Sequence, residues 1–165
     1  MSLPGVQMER LLPSPESTAG YLLRLSRPRF WLYLAGPVVV AVAFAVDTVD
    51  GLFSPVTIGL FAFFLLPANV YLYGVNDIFD REIDRENPKK DNREVRFDGE
   101  TRTLAAVGVA GGVAIGLGGY LIAAGRYNAA AVMLGFLFLA TEYSAPPLRF
   151  KTVPFFDSIS NGLYI

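Results

Sequence analysis

The sequence predicts an all-α, polytopic transmembrane helical bundle, and three observations carry that reading. Hydrophobic residues make up 53% of the 165 residues and mean hydropathy is +0.41, both high for a water-soluble domain of this size. Charge is unevenly placed: long apolar runs free of it alternate with dense mixed-charge stretches. Four of the apolar runs approach the roughly 20 residues needed to cross a bilayer core.

The elements follow in order. Met1–Gly20 holds Pro4, Pro13 and Pro15 among polar residues and lacks a basic segment leading into an apolar core. It reads as a flexible cytoplasmic arm and not as a signal peptide. Tyr21–Arg29 sets Tyr21, Leu22, Leu23 and Leu25 against Arg24 and Arg27, the pattern of an interfacial segment. Residues 1–29 are therefore assigned to the arm and interfacial segment, and 30–165 to a single transmembrane domain. Its spans are Phe30–Val46, Leu52–Val75, Leu104–Ala124 and Tyr127–Ala140 running on toward Tyr143. Pro37 and Pro67 lie inside the first two and predict kinks whose freed carbonyls find other donors. In the third, Gly108, Gly112 and Gly116 recur at i+4 beside Gly111, Gly118 and Gly119. This spacing permits close helix contact and marks the span expected deepest in the bundle. No strand precedes these glycines and no Gly-Lys-Ser/Thr follows, so they do not form a phosphate-cradling loop.

Arg85–Arg102 is a mixed-charge segment between the second and third spans. It reads either as a solvated loop or as a flap whose Lys89, Lys90 and Arg93 fold over an anion. After the fourth span, Pro146-Pro147 stops the helix, and Arg149 and Lys151 follow on a stiff loop. From Ile159 the sequence turns apolar again, as expected for the start of a fifth helix in a chain truncated at its C-terminal end.

Thirteen of the 14 Lys and Arg residues fall before the first span, between the second and third, or after the fourth; Arg126 alone lies on the opposite side. That asymmetry predicts a multi-pass protein of the cell membrane, with its N-terminus, acidic loop and Pro-rich loop in the cytoplasm. The absence of cysteine and histidine excludes disulfides, thiol nucleophiles and imidazole bases. A net charge of −1 and a pI near 5.4 give no sign of a nucleic-acid partner.

Chemistry concentrates at the end of the second span. On a helix, Asn76, Asp80 and Asp84 stand at i, i+4 and i+8 with Asp77 beside them, all within an arc of about 100°. Carboxylates stacked about 6 Å apart repel by roughly 2–3 kcal/mol per adjacent pair at an effective dielectric near 20. A helix gains nothing from this, whereas a hard divalent cation such as Mg²⁺ relieves it through oxygen ligands. The plain alternative is a solvated helix end with Arg81 and Arg85 as counter-charges.

Asn76-Asp77-x-x-Asp80-x-x-x-Asp84 resembles the first aspartate-rich motif of the UbiA superfamily of intramembrane prenyltransferases. Tyr143-Ser-Ala-Pro-Pro-Leu-Arg-Phe-Lys151 resembles the loop that follows the fourth helix in that family, and Arg27-Pro28 its common entry to the first. Within the superfamily, Ser26–Pro37 and Asn76–Glu94 are most similar to haloarchaeal lycopene elongases. The resemblance covers essentially everything after residue 20. It implies the N-terminal half of a fold of roughly nine helices, with a second aspartate motif in the other half.

It further implies Mg²⁺-dependent transfer of a prenyl group from an allylic diphosphate to a lipophilic acceptor, lycopene being the best match in the route to C50 carotenoids. Metal ligands would be Asn76, Asp77, Asp80 and Asp84. Arg27, Lys89, Arg149 and Lys151 would bind the diphosphate. Asp80, Asp84 and Tyr143 would be catalytic, and aromatics such as Tyr71, Tyr73, Phe79 and Tyr143 would flank an allylic cation. Other acceptors open to the same chemistry are a quinone precursor, haem, chlorophyllide or a glycerol lipid. A reading of a different class is a cation-binding transporter half, which would need charges deep in the spans; their interiors hold none.

Overall fold

A computed structural model describes residues 13–14, 16–81 and 101–163. The sequence-predicted site residues Asp84 and Lys89, and most of the mixed-charge segment, lie outside them. Among the described residues there are helices and turns but no strands.

Helix α1 (Thr18–Leu25) is capped by Ser17, whose hydroxyl accepts from the Gly20 amide at 3.1 Å. Expected as part of an interfacial segment, it packs one face against the bundle. Leu25 is buried, Tyr21 hydrogen-bonds Thr103, and the Arg102 guanidinium sits 4.6 Å over the Tyr21 ring. A turn through Arg27 and a short 3₁₀ segment, Pro28–Phe30, leads into α2 (Trp31–Ala45). The buried Ser26 hydroxyl accepts from the Trp31 indole at 2.9 Å and fixes that corner.

The second span is divided. After the one-turn α3 (Val49–Leu52), α4 (Pro55–Leu65) ends at Leu66 and α5 (Pro67–Phe79) begins at the next residue. Pro67 brings no N–H and cannot continue the ladder. The fully buried Asn69 supplies the missing donors, its side-chain amide reaching Phe64 O at 2.9 Å and Leu65 O at 3.0 Å. These two carbonyls of the break are thus satisfied inside the protein, as membrane depth requires.

Helix α6 (Thr101–Ala123) packs against both α5 and α7 (Tyr127–Glu142). It ends in a Schellman motif: Gly125, at φ +72°, donates to Ile122 O and Arg126 donates to Leu121 O. The segments Pro28–Ala45, Val49–Phe79 and Thr101–Ala123 are long and apolar enough to cross a membrane. The 16-residue α7 is apolar but shorter. Of the three long segments α6 is the most buried, as expected of it relative to the first two spans.

The face it buries differs from expectation. Ala110, Gly111, Ala114 and Gly118 turn inward, while a Cβ at Gly108, Gly112 or Gly116 would meet nothing within 4 Å among the described residues. Rotation of α6 is set by its bulkier contacts: a Cβ at Gly111 would fall 2.9 Å from the Tyr71 ring, and Val107 occupies the space that Gly74 leaves on α5. The i+4 glycine stripe is consequently rotated away from that contact.

Beyond α7 the chain passes through Pro146-Pro147, joined by a cis peptide bond, and a 3₁₀ turn at Phe150–Thr152. It then enters α8 (Phe156–Leu163), which begins three residues before the apolar run at Ile159.

Candidate active site

The site forms where the end of α5 meets the loop between α7 and α8. Asp80 is the C-cap of α5, its amide donating to Asn76 O at 2.9 Å. A carboxylate there opposes the negative end of the helix dipole, so it needs compensation from outside the helix. The loop provides it. Lys151 Nζ donates to Asp80 Oδ1, and Arg149 Nη2 lies 3.4 Å from the same oxygen and 3.4 Å from Phe79 O. The Asp80 and Lys151 side chains are largely buried, which removes the water that would otherwise screen the pair.

One turn back on α5, Asn76 joins the same group. The buried Ser144 hydroxyl donates to Asn76 Oδ1 at 2.9 Å and accepts from Lys151 Nζ at 3.3 Å. Asn76, Ser144, Lys151 and Asp80 therefore form one continuous hydrogen-bonded chain from helix to loop. The loop is closed on itself by the Lys151 amide donating to Tyr143 O at 3.1 Å and the Arg149 amide to Ala145 O at 3.1 Å.

Asp77 faces a different partner. Its side chain is 2% exposed and accepts from Arg27 Nη2 at 2.7 Å, while the Arg27 guanidinium covers the Tyr73 ring at 4.6 Å. The two sequence-predicted residues Arg27 and Asp77 thus meet each other, joining the turn after α1 to α5. Arg27 and Arg149, which pair with Asp77 and Asp80, both hold left-handed backbone at φ +49° and +43°. That conformation costs a non-glycine residue about 1–2 kcal/mol, and the packing around these side chains must offset it.

Tyr143 lies just beyond α7 and links the loop to α8. Its hydroxyl donates to Asp157 Oδ1 at 2.8 Å, and Asn161, one turn later, donates to Asp157 Oδ1 at 3.3 Å and approaches the phenol oxygen at 3.4 Å. Burial, reinforced by the Asp157 and Asp80 carboxylates, raises the phenol's pKa above its ordinary value, so Tyr143 is a proton-bearing donor at neutral pH.

Of the aromatics named from sequence, Tyr71 is a packing clamp. Thr141 gives its only hydroxyl proton to Leu137 O, so the Tyr71 hydroxyl donates to Thr141 at 2.8 Å and ties α5 to α7. Tyr73 is covered by Arg27, and Phe79 remains partly exposed beside Asp80. Sequence reasoning assigned no role to Ser144, although it stands within the loop motif. It also passed over Asp157 and Asn161, whose i, i+4 spacing at the head of an apolar run was the available signal.

The donor set suits a hard cation. Among the described residues Asn76 and Asp80 contribute a neutral and an anionic oxygen one turn apart, and no cluster of three acidic side chains is present. Mg²⁺ is commonly held by one or two carboxylates together with substrate phosphates, so the residues present fit that ion.

Comparison with known proteins places these features in a wider set. Residues 25–165 match the model of the UbiA prenyltransferase family. The chain is 53% identical over 164 residues to a lycopene elongase/hydratase of Haloarcula japonica, covering 99% of this chain and 54% of that protein. It is 54% identical over 145 residues to the protein so named in Halobacterium salinarum, covering 88% of this chain and 51% of that one. For the Haloferax volcanii protein of that name, identity is 53% over 145 residues, covering 88% and 47%. The chain thus spans about half the length of the curated relatives it matches. No solved structure matches it.

Proposed function

Because the chain belongs to the UbiA prenyltransferase family, we propose that it carries a diphosphate-binding site for intramembrane prenyl transfer to a carotenoid-type acceptor. One observation supports this above the others: Asp80 is held between Lys151 and Arg149, with Asn76 joined to the same group through Ser144. An Mg²⁺–diphosphate pair needs both signs of charge within a few ångströms, oxygen ligands for the ion and N–H donors for the phosphates.

In this reading Asp80 and Asn76 hold the ion together with Asp84. Mg²⁺ bound there would neutralise the diphosphate and make it a competent leaving group. Arg149 and Lys151 bind phosphate oxygens and stabilise the charge that grows as the C–O bond breaks. Arg27 and Asp77 act behind that site by fixing the turn after α1 against α5. Lycopene is the proposed acceptor, in keeping with the names of the relatives, and five-carbon addition on the way to C50 carotenoids the proposed outcome. Lycopene is lipid-soluble whereas a five-carbon diphosphate is charged and water-borne, and a site at the membrane rim can receive both. The Lys and Arg asymmetry supports a cytoplasmic position for that rim in the cell membrane.

The test is pigment analysis of a lycopene-producing host expressing the intact protein. Extended carotenoids should appear with it and vanish on Asp80→Asn, with the variant still in the membrane fraction. Unchanged pigments with the unsubstituted protein would refute the reading.

A further inference from the structure

We propose that Tyr143 and Asp157 form the proton exit of the transfer reaction, Tyr143 taking the proton released by the acceptor and passing its own to Asp157. The inference rests on the prenyl-transfer reading above and supplies the base that reading lacks.

The argument begins from the partners of each carboxylate around the site. Asp77 pairs with Arg27, and Asp80 with Lys151 and Arg149. Both are charge-compensated and suited to holding cations or structure. Asp157 differs, because the donors on its carboxylate are the Tyr143 hydroxyl at 2.8 Å and the Asn161 amide at 3.3 Å, both neutral. Among the described residues no ammonium or guanidinium contacts Asp157, so its oxygen is placed to receive the phenol proton directly. It also stands at the right place. Tyr143 adjoins Ser144 and accepts the Lys151 amide at its carbonyl, so the phenol shares one short loop with the cations that face Asp80.

The step balances. The donor C–O bond breaks and its electron pair leaves with the diphosphate. The acceptor's alkene pair forms the new C–C bond and leaves a cation on the acceptor. A C–H bond beside that cation then breaks, and its electrons become the new double bond. Its proton arrives on Tyr143 Oη as the original phenol proton moves to Asp157 Oδ1. The products are a neutral alkene, a neutral tyrosine and a protonated Asp157.

Steady-state kinetics of the intact protein in membranes, with an allylic diphosphate and lycopene, tests this. Asp157→Asn keeps an acceptor for the Tyr143 hydroxyl but cannot take its proton. Its kcat should fall about 10²-fold or more while KM for the diphosphate stays unchanged. Asp157→Glu should restore part of the loss. Tyr143→Phe should match Asp157→Asn, and the double variant should be no worse than either single, as members of one relay are non-additive. Parent-like kcat in Asp157→Asn would overturn the relay. So would a raised diphosphate KM, or losses that multiply in the double variant, since those describe a residue that only docks α8. If the unsubstituted protein transfers no prenyl group, the underlying reading fails first and the relay with it.

Discussion

Ser144 gives its single hydroxyl proton to Asn76 Oδ1 at 2.9 Å and receives one from Lys151. A buried serine therefore fixes which atom of the Asn76 carboxamide faces the loop and where the lysine of that loop rests. Ser144→Ala removes both bonds without altering any charge. Losing one such bond costs about 1 kcal/mol, so binding of Mg²⁺ with inorganic pyrophosphate should weaken roughly fivefold. Isothermal titration of the detergent-solubilised protein measures this, and Ser144→Thr, which retains the hydroxyl, should stay close to the parent.

Lys151 occupies Asp80 Oδ1, an oxygen of the carboxylate proposed to hold the metal ion. Metal alone and metal with diphosphate should accordingly respond to Lys151→Met in opposite directions. Without the ammonium, a competitor of about 1.5 kcal/mol or more is gone, and Mg²⁺ by itself should bind on the order of tenfold tighter. Pyrophosphate affinity at saturating Mg²⁺ should fall, because a phosphate donor has been lost. Titrations with and without pyrophosphate separate the two effects; weakening of both would show that Lys151 merely holds the loop.

These couplings mark the limit of what was legible in the sequence. Spans show in composition because a bilayer demands unbroken apolar runs, and the break at Pro67 shows because proline lacks an N–H. The acid row at Asn76, Asp77 and Asp80 was visible as a helical repeat. Its division was not: Asp77 turns to Arg27, 50 residues earlier, and Asp80 to Lys151, 71 residues later, and helical spacing carries no information about such distant partners. The glycine stripe misled for a related reason. Gly108, Gly112 and Gly116 define a face able to pack closely, but which face of α6 meets α5 is decided by where Tyr71 and Val107 fit. Asp157 stayed hidden because a lone aspartate before an apolar run acquires meaning only from the phenol it meets.

Asn69 is a structural counterpart to the site residues. Its amide closes the carbonyls of Phe64 and Leu65 left open by the break before α5. Asn69→Ala should lower stability by about 1–3 kcal/mol by stranding buried acceptors. Thermal unfolding followed by circular dichroism would register it. Asn69→Leu, which fills the volume but donates nothing, should be equally damaging if hydrogen bonding is the cause and nearly silent if packing is.

The Arg27–Asp77 pair allows a sharper separation between holding structure and holding substrate. Asp77 is 2% exposed on its side chain, and Arg27 donates to it at 2.7 Å while covering Tyr73. Removing one member of a buried pair strands the other's charge and typically costs about 3–5 kcal/mol, whereas replacing both by apolar groups is often nearly neutral. Arg27→Met should therefore depress the thermal midpoint sharply, and Asp77→Leu should do likewise. The double variant Arg27→Met/Asp77→Leu should recover most of the loss. Its affinity for Mg²⁺–pyrophosphate then decides the role of Arg27. An affinity close to the parent's makes the pair a brace that fixes the turn after α1 against α5. A folded double variant that has lost the affinity instead places the arginine among the groups that touch the diphosphate.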